Sequence, residues 1–503
     1  MTKVASFVSL GFIHFDSESE DPLYRQLYNS IRHEILAGRL KPGSRLPSTR
    51  GMAQELSLSR NTVVRAYDQL MAEGYLEGQI GMGTCVARDL PEEMLTVMGT
   101  KAHTELESSH DGTLEAKPIL SQRGEAVMPI PYRWEMSKSG AFSTTIGEMN
   151  EFPTKVWEKL LISSWKNLSS EELSYQSSCG YDFLREVLAT FLQTSRGVHC
   201  TPEQVIITNG AQQALSLSVD LLVNPGDQAW VENPCFNGIR AALAAVKAEI
   251  IPVSVDSEGL NPEEGIEKAP HARLAFISPS HQYPLGVTMS LSRRLQLLHW
   301  ARQENAWIIE DDYDSVYRHS GPPLAALQGL DQSGHVIYVG TLSKVLFPAL
   351  RIGYMVVPPD LVEPIHTMRA HVDRGSSILE QVVLAHFIDE GHLARHIRRM
   401  ISLYQDRQSV FIEAVQTYLP GLLTVEPNDT GLHLVGWLPE GADDQVVSQE
   451  LAQSGIDAAA LSSFAHEPLV RSGLVLGYAA VPKLAIIQSV QRMKPILERC
   501  VNS

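Results

Sequence analysis

The sequence predicts an α/β protein in two folded parts, a small N-terminal winged helix-turn-helix domain and a large domain on a mainly parallel sheet. In the first part, apolar residues recur at helical spacing; in the second, short β-rich runs alternate with helical patterns. Between Asp89 and Ile130 there is no Phe, Trp or Tyr, and all seven tryptophans follow this stretch. We therefore divide the chain into an arm (1–20), a helix-turn-helix domain (21–88), a flexible linker (89–130) and the large domain (131–503).

Composition restricts the function. The chain has 503 residues, 44% of them apolar, and a formal net charge of −17, so any DNA contact must be confined to a local patch. The five cysteines are odd in number and scattered, which indicates reduced thiols and predicts neither a disulfide framework nor a metal site. No apolar run reaches the roughly 18 residues of a membrane helix. We expect a soluble, cytoplasmic protein without a membrane partner.

Three helices and a wing are predicted in the N-terminal part. Apolar residues at four-residue spacing predict a helix from Pro22 to Ala37, and Ser48 is suited to cap a second helix. A short turn leads to a third helix, Asn61 to Glu73, and the glycine-rich run Tyr75 to Val86 predicts two short strands. Residues 21–88 contain nine Lys and Arg against six Asp and Glu. This part is therefore locally basic.

The start of the third helix carries the side chains that we expect to contact DNA. The runs Leu46 to Arg50 and Ser59 to Ala66 closely resemble the GntR-like winged helix-turn-helix family. Recognition-helix side chains reach base edges, basic residues contact phosphates, and a glycine lets the wing approach the minor groove. The predicted DNA-binding residues are Arg50, Ser59, Arg60, Asn61, Thr62, Arg65 and Gly81. The alternative is a small helical domain that mediates protein contacts.

Lys344 is the most informative residue of the large domain. It ends the run Gly340-Thr341-Leu342-Ser343-Lys344, and Arg351 follows soon after. A lysine amine can form a Schiff base with the aldehyde of pyridoxal 5'-phosphate, while hydroxyls and an arginine hold the phosphate. We predict this role for Lys344, with Thr341, Ser343 and Arg351 at the phosphate. The alternative is an exposed lysine after a strand.

A carboxylate and a tyrosine are expected opposite the lysine. Asp311 and Tyr313 follow an apolar strand, suited to pair with the pyridine nitrogen and the phenolic oxygen of the cofactor. Asp311 lies 33 positions before Lys344, a separation similar to that in α-aminoadipate-type aminotransferases of fold type I. Asp314 with Tyr317 is the alternative pair.

Three further segments fit the same site. Gly210, Ala211 and Gln212 open a helix after a strand, where backbone amides can hold a phosphate. Phe236 resembles the aromatic residue that stacks on the cofactor ring in fold type I enzymes. Tyr283 stands where the related turn of aminotransferases has an asparagine, which leaves the cofactor contact to Tyr283, Gln282 or neither.

The chain as a whole resembles the MocR-type subfamily of GntR-like regulators. The resemblance implies a PLP-dependent transferase fold of type I, pyridoxal phosphate at Lys344, a homodimer, an operator in double-stranded DNA and control by the cofactor itself or an amine or amino acid. One departure concerns the carboxylate-binding arginine of aminotransferases, because Val475 stands in the corresponding strand. Arg471 and Arg240 are weak candidates for binding an anion. The alternative to a regulator is a working aminotransferase with an accessory DNA-binding domain.

Overall fold

The computed structural model describes residues 13, 15–16, 21–79, 83–88, 90, 120–131, 140–144, 146–321 and 324–501. The chain forms two compact units, residues 1–118 and 119–503, which are described separately below. The predicted N-terminal arm, apart from residues 13 and 15–16, and residues 89 and 91–119 of the predicted linker lie outside the described residues. No helix among the residues described above is long and apolar enough to cross a membrane.

The first unit contains three helices and a two-stranded hairpin in its described part. These elements are α1 (Leu23–Leu36), α2 (Thr49–Glu55), α3 (Arg60–Ala72), β1 (Leu76–Gln79) and β2 (Gly83–Val86). The strands pair antiparallel, as predicted for the wing.

Side-chain caps and a shared core hold the first three helices. The hydroxyl of Ser48 accepts from the backbone N–H of Gly51 at the start of α2, which satisfies a donor that the helix leaves unpaired. Leu27, Met52 and Tyr67 are fully buried between the helices, and the Tyr67 hydroxyl donates to the carbonyl of Pro47 at 2.9 Å. These contacts therefore fix the start of α2 against α3.

The second unit has two sheets covered by helices. Its helices are α4 (Gln122–Val127), α5 (Thr154–Asn167), α6 (Asp182–Arg196), α7 (Ala211–Leu222), α8 (Asn237–Val246), α9 (Pro262–Lys268), α10 (Leu291–Glu304), α11 (Pro359–Val372), α12 (Ile378–Asp389), α13 (His392–Tyr418), α14 (Asp444–Gln453) and α15 (Lys483–Val501). Its strands are β3 (Val205–Thr208), β4 (Gln228–Asn233), β5 (Glu249–Asp256), β6 (Gly259–Leu260), β7 (Leu274–Ile277), β8 (Trp307–Asp312), β9 (Val336–Thr341), β10 (Gly353–Val356), β11 (Thr424–Val425), β12 (His433–Trp437), β13 (Ala459–Ala460) and β14 (Gly473–Gly477).

The large sheet has the order β3-β10-β9-β8-β7-β4-β5-β6. Strands β9, β8, β7, β4 and β5 are parallel to their neighbours in this series, whereas β10 runs antiparallel between β3 and β9. The central strands are buried on both faces, as expected when helices cover both sides of a parallel sheet. The second sheet is antiparallel, in the order β11-β12-β14-β13. The predicted α/β class is confirmed.

Helix α4 lies within the segment that the sequence predicts as a linker. Its hydroxyl cap, Ser121, accepts from the N–H of Gly124, and Arg123 forms an ion pair with Asp220 of α7 at 3.2 Å. Gln122 also hydrogen-bonds Lys247, which ends α8. The folded part of the second unit therefore begins before residue 131.

Candidate functional site

The carboxyl ends of five strands meet at one edge of the large sheet. The last residues of β8 and β9 and the segments that follow β3, β4, β7, β8 and β9 contain all the sequence-predicted cofactor residues. Ligands of open α/β sheets bind in the crevice at this edge, because the strand ends and helix N-termini converge there. The candidate site therefore has the location that the sheet topology favours.

A phosphate-sized cup is built at the start of α7. Gly210 has φ 86° and caps the helix, and the Arg351 guanidinium donates to the carbonyl of Asn209 at 3.1 Å. Gly353 pairs with Thr208 on one side and Thr341 on the other, which brings both strand ends to the same level. A Cβ on Gly353 would lie 2.6 Å from the carbonyl carbon of Gly210. Glycine at 353 is therefore needed for this close approach.

Backbone amides and one arginine are the groups that the cup offers to an anion. Ala211 and Gln212 occupy the first turn of α7, where backbone N–H groups have no helical acceptor. The side chain of Gln212 is already engaged, since its Nε2 donates to the carbonyl of Gly238 at 2.9 Å. The backbone N–H of Gln212 is the donor that we expect at a ligand. The Arg351 guanidinium adds a fixed positive charge beside Gly210.

Two hydroxyls follow β9 at the same edge. The Thr341 hydroxyl oxygen accepts from the backbone N–H of Ser343 at 3.2 Å. Both side chains are buried, and the Ser343 hydroxyl has no hydrogen-bond partner among the residues described above. A buried hydroxyl without a partner costs free energy unless a ligand supplies one. Ser343 is thus suited to a phosphate oxygen.

Lys344 places its amine among aromatic rings. Its Nζ lies 4.4 Å from the ring centroid of Tyr313 and 5.5 Å from that of Tyr283. Burial lowers the pKa of Lys344, while the carboxylates of Asp314 and Asp311 oppose that shift. A lowered pKa increases the neutral fraction of the amine, which is the form that attacks an aldehyde.

Asp311 is a buried carboxylate with an incomplete hydrogen-bond set. Its Oδ1 has no partner within the described part of the chain. Burial, together with the charges of Asp312 and Asp314, raises the pKa of Asp311 to about 7, although the charge of Lys344 opposes the shift. A cationic nitrogen bound at Oδ1 would satisfy the oxygen and stabilise the ionised form. Asp311 Oδ1 is therefore a hydrogen-bond acceptor that fits a protonated pyridine nitrogen.

Aromatic side chains line the space around the amine. Phe236, which precedes α8, makes an edge contact with Tyr283 at a centroid distance of 6.3 Å. Tyr283 makes another with Tyr313 at 5.7 Å. Gln282 is buried, and its amide bonds Glu232, Pro234 and neighbouring backbone groups. Of the two side chains named in the sequence analysis, Tyr283 is therefore the one near the lysine amine; its contact with the cofactor stays a prediction.

The alternative pair, Asp314 with Tyr317, has other partners. Asp314 Oδ1 lies 2.9 Å from His281 Nδ1. The hydroxyl of Tyr317 donates to the carbonyl of Val345 at 2.8 Å, and its ring packs against Tyr404. Tyr317 is thus occupied in the core, and the geometry favours Asp311 with Tyr313 for the cofactor.

His281 and His433 are site residues that the sequence reasoning missed. With Asp314 they bring ligand-type atoms within 4.8 Å of one another, and all three are buried. All three side chains form hydrogen bonds within the protein. His281 bonds Asp314 and Tyr313, and His433 Nε2 lies 3.0 Å from the carbonyl oxygen of Pro284. Burial, His281 and Lys344 hold the pKa of His433 well below its usual range. We interpret the cluster as a hydrogen-bond network.

Arg240 and Arg471, the two weak candidates for binding an anion, both contact other side chains of the protein. Arg240 donates to Asn237 Oδ1 at 2.9 Å, and the Arg471 guanidinium lies over the Trp437 ring at 5.0 Å. Val475 is fully buried on β14. The place of the aminotransferase arginine is therefore apolar.

Apart from Gly81, the predicted DNA contacts of the first unit lie on α2 and on α3 with its N-cap. The Ser59 hydroxyl caps α3 by accepting from the Thr62 N–H at 3.1 Å and also bonds the Thr62 hydroxyl at 2.8 Å. These two hydroxyls thus order the helix start. The exposed predicted contacts are Arg50, Ser59, Arg60, Asn61 and Arg65, and Thr62 is half-buried. Gly81 lies outside the described residues.

Comparisons with known proteins agree with both halves of this arrangement. A family model for aminotransferase class I and II matches residues 145–475, and one for bacterial regulatory proteins of the gntR family matches residues 23–86. The chain is 39% identical over 480 residues to the probable rhizopine catabolism regulatory protein MocR of Rhizobium meliloti, covering 95% of this chain and 94% of that protein.

The chain belongs to the MocR-type family of GntR-like transcriptional regulators.

A second relative and a solved structure extend the comparison of this MocR-type chain. The pyridoxine biosynthesis transcriptional regulator PdxR of Corynebacterium glutamicum is 31% identical over 458 residues, covering 90% of this chain and 91% of that protein. The kynurenine aminotransferase of Pyrococcus horikoshii, solved in complex with PMP, matches with a TM-score of 0.68 and 25% identity, covering 80% of this chain and 99% of that one. The predicted family and the type I fold are confirmed.

Pyridoxal 5'-phosphate is the cofactor that fits this MocR-type site. The unpartnered oxygen of Asp311, the unpartnered hydroxyl of Ser343 and the amine of Lys344 match a pyridine nitrogen, a phosphate and an aldehyde. The cup at Gly210 and Arg351 completes the phosphate site. The role of each single residue remains a prediction.

Proposed function

We propose that this MocR-type regulator binds paired operator half-sites as a homodimer, and that pyridoxal phosphate or an amino compound bound at Lys344 changes its affinity for DNA. The observation that carries the proposal is the presence, in one chain, of a helix-turn-helix and a cofactor site in which Asp311 Oδ1 and the Ser343 hydroxyl have no hydrogen-bond partner among the described residues. The residue assignments at both sites, and the division into arm, DNA-binding domain, linker and effector domain, belong to this proposal.

The start of α3 supports DNA binding. Arg60 and Asn61 are exposed in the first turn of a helix whose N-cap is satisfied by Ser59. A capped helix N-terminus with exposed arginine and asparagine side chains is suited to base edges and phosphates of the major groove. Arg50 and Arg65 are exposed on the same unit and add positive charge for phosphate contacts.

The surface of the second unit supports a homodimer. On α5 and the segment that follows it, Ile162, Trp165, Leu173 and Tyr175 are exposed by 49%, 62%, 61% and 87%. Large apolar side chains exposed close together mark a surface that another protein covers. In a homodimer, the same patch on a second copy can cover it, and the two DNA-binding units then address two half-sites.

The site supplies the chemistry that a sensor of amines needs. When bound, pyridoxal phosphate supplies an aldehyde that reacts reversibly with amines and a ring that accepts electrons. Lys344 would hold the aldehyde end, Asp311 would pair with the ring nitrogen, and the cup at Gly210 would hold the phosphate. An amine that competes with Lys344 for the aldehyde would change the contacts of the lysine and the rings around it.

A working aminotransferase is the second candidate, because the same three groups serve catalysis. The apolar Val475 favours the regulator, since a conventional amino-acid substrate needs a cation for its carboxylate. Incubation with amino acids and 2-oxo acids, followed by assay of the new oxo acid, separates the two functions. Sustained turnover would establish the enzyme, whereas spectral change without turnover supports a sensor.

The proposal is tested with purified full-length protein and a duplex selected from a random DNA pool. Gel-shift titrations are run with and without pyridoxal phosphate and a panel of amines, and light scattering gives the mass. We expect a mass of twice 55.6 kDa and a several-fold change in DNA affinity that is lost in Lys344→Ala. Lys494→Ala, an exposed lysine on α15, is the matched control. Affinity that is indifferent to every compound, or a monomeric complex, would contradict the proposal.

A further inference from the structure

His281 lies beside the tyrosine that faces the lysine amine, and its hydrogen bonds define which ring nitrogen carries the proton. Asn428 Nδ2 lies 2.8 Å from the carbonyl oxygen of Gly286 and 3.2 Å from His281 Nε2. A carbonyl only accepts, so this end of the Asn428 amide is the NH2 group. The same NH2 group must donate to Nε2, which therefore has no proton.

The imidazole ring is held tightly in this orientation. A Cβ on Gly431 would lie 2.1 Å from His281 Cε1, and one on Gly286 would lie 3.2 Å from Nε2. His281 is 2% exposed, so water does not compete for its nitrogens. With Nε2 as the acceptor, the single ring proton of the neutral imidazole resides on Nδ1.

The Nδ1 proton lies between two oxygens. Nδ1 is 2.9 Å from Asp314 Oδ1 and 3.0 Å from the Tyr313 hydroxyl oxygen. A protonated Nδ1 has no lone pair in the ring plane, so it donates and cannot accept from Tyr313. The hydroxyl proton of Tyr313 is consequently left free for another acceptor. The centroid of the Tyr313 ring is 4.4 Å from Lys344 Nζ, where pyridoxal phosphate would attach.

We infer that His281 is a positioning residue for Tyr313. Asn428 fixes the imidazole ring, and Nδ1 donates to Tyr313 and Asp314. The Tyr313 hydroxyl therefore keeps its own proton for a hydrogen bond to the phenolic oxygen of pyridoxal phosphate. The inference rests on the cofactor site of the proposed function and is independent of DNA binding. Asp314 is the acceptor to which the Tyr313 proton would turn if the donor at Nδ1 were lost. His281 thus prevents that competing hydrogen bond.

The readout is the visible spectrum of the pyridoxal-phosphate-loaded protein as a function of pH. The long-wavelength form holds a proton between the lysine-bound nitrogen and the phenolic oxygen, and a donor from Tyr313 stabilises that oxygen when the proton leaves. Loss of this donor should therefore raise the midpoint of the spectral titration by about one pH unit, since a hydrogen bond to a charged oxygen has about that effect. Asp311, Asp314, Lys344, His319 and His433 also face this region, so each variant is compared with wild type on the same scale.

Two substitutions of His281 form a matched pair. The amide nitrogen of His281→Asn can replace Nδ1, whereas that of His281→Gln can replace only Nε2. We expect His281→Asn to titrate like wild type, and His281→Gln to show the raised midpoint of Tyr313→Phe. In the Tyr313→Phe background, His281→Gln should add no further shift. An equal shift in both backgrounds, or no shift in His281→Gln, would overturn the inference.

A second variant leaves His281 in place. Asn428→Asp places a second carboxylate at Nε2, so the imidazole lies between two carboxylates and carries a proton on each nitrogen, and Nδ1 still donates toward Asp314 and Tyr313. The midpoint should therefore stay close to that of wild type, and a midpoint raised as in His281→Gln would contradict the inference. Stoichiometric zinc in the purified wild-type protein, lost in His433→Ala, would also overturn it, because a metal would occupy the nitrogens.

The outcomes separate this inference from the proposed function. A wild-type protein that gains the visible band but shows no DNA response contradicts the regulator and leaves the His281 test intact. A normal DNA response with no midpoint shift in His281→Gln contradicts only the role of His281. A wild-type protein that stays colourless with pyridoxal phosphate contradicts both.

Discussion

Replacing Asp311 with asparagine should stabilise the cofactor-free protein at pH 8 while it weakens cofactor binding. The carboxyl group is 6% exposed, and its Oδ1 has no partner among the residues that the structure describes. Burial, with Asp312 and Asp314, raises the pKa of Asp311 from its ordinary 3.8 to about 7. The folded state therefore retains a proton that the unfolded chain releases at lower pH, and stability is lost as pH rises from about 4 to about 7.

The size of the effect follows from this interval. At about 1.4 kcal/mol per pKa unit, the shift corresponds to at most about 4 kcal/mol at pH 8 and about 2 kcal/mol at pH 5.5. The asparagine side chain carries no charge at either pH, so Asp311→Asn should gain about 2 kcal/mol more at pH 8 than at pH 5.5. Added pyridoxal phosphate should narrow this difference, because only the wild-type carboxylate gains a cationic partner.

Urea unfolding followed by tryptophan fluorescence measures this directly, because all seven tryptophans lie after residue 130 and report only the second unit. Asp312→Asn is the matched control: Asp312 pairs with Arg196 at 2.8 Å. Burial raises the pKa of Asp312, but Arg196 and hydrogen bonds outweigh burial and lower it overall. The control should therefore lose stability at both pH values. An Asp311→Asn protein that is no more stable than wild type at pH 8, or that gains equally at both pH values, would refute the reasoning.

Three further predictions concern the cofactor and the DNA. Purified protein with pyridoxal phosphate should absorb near about 420 nm, and Lys344→Ala should not; a band that persists in this variant would place the attachment elsewhere. Residues 21–88 alone should bind the selected DNA far more weakly than the full chain at equal salt, since one winged helix addresses a half-site; equal affinity would exclude a role for dimerisation. Arg60→Ala should cost about 1–3 kcal/mol in specific binding, with an unchanged visible spectrum, and Arg25→Ala on α1 is its control. Wild-type affinity in Arg60→Ala would remove this side chain from the interface.

The helices and strands of the fold could be predicted from the local pattern of apolar and polar residues. The sequence predicts β-rich runs at 205–208, 228–231, 274–277, 307–310 and 336–339. In the structure, the second, fourth and fifth of these extend by two residues, to Asn233, Asp312 and Thr341, while the runs at β3 and β7 match their strands. The added residues are polar or glycine, so the apolar pattern that predicts strands stops before them. These positions lie at the site edge of the sheet, where a strand must present polar groups to a ligand.

The contacts within the site were harder to predict from the sequence, because they join segments that are far apart along the chain. His281 stands beside Tyr283 in the sequence, yet its partner Asn428 is 147 positions away, and no periodicity connects them. Asp314 could be noted as a carboxylate near Asp311, but its bond to His281 depends on how β7 and β8 pair. Spacing along the chain predicts the residues that share a strand end. It does not predict which oxygen is left without a partner.

Alternation along β8 explains why Asp311, among consecutive carboxylates, is the one available to a ligand. Side chains of neighbouring strand residues point to opposite faces, so Glu310 and Asp312 share a face and Asp311 takes the other. On the shared face, Glu310 accepts from two backbone N–H groups at 2.8 Å, and Asp312 bonds Arg196 and Tyr338 at 2.8 and 2.7 Å. The carboxyl groups of Glu310 and Asp312 thus have hydrogen-bond partners within the protein, whereas Oδ1 of Asp311 has none among the described residues. A cationic ring nitrogen placed at the sheet edge on that face therefore meets one carboxylate, that of Asp311. Because an oxygen buried without a hydrogen-bond partner costs free energy, binding of the ring nitrogen at Asp311 Oδ1 is favoured over the empty site.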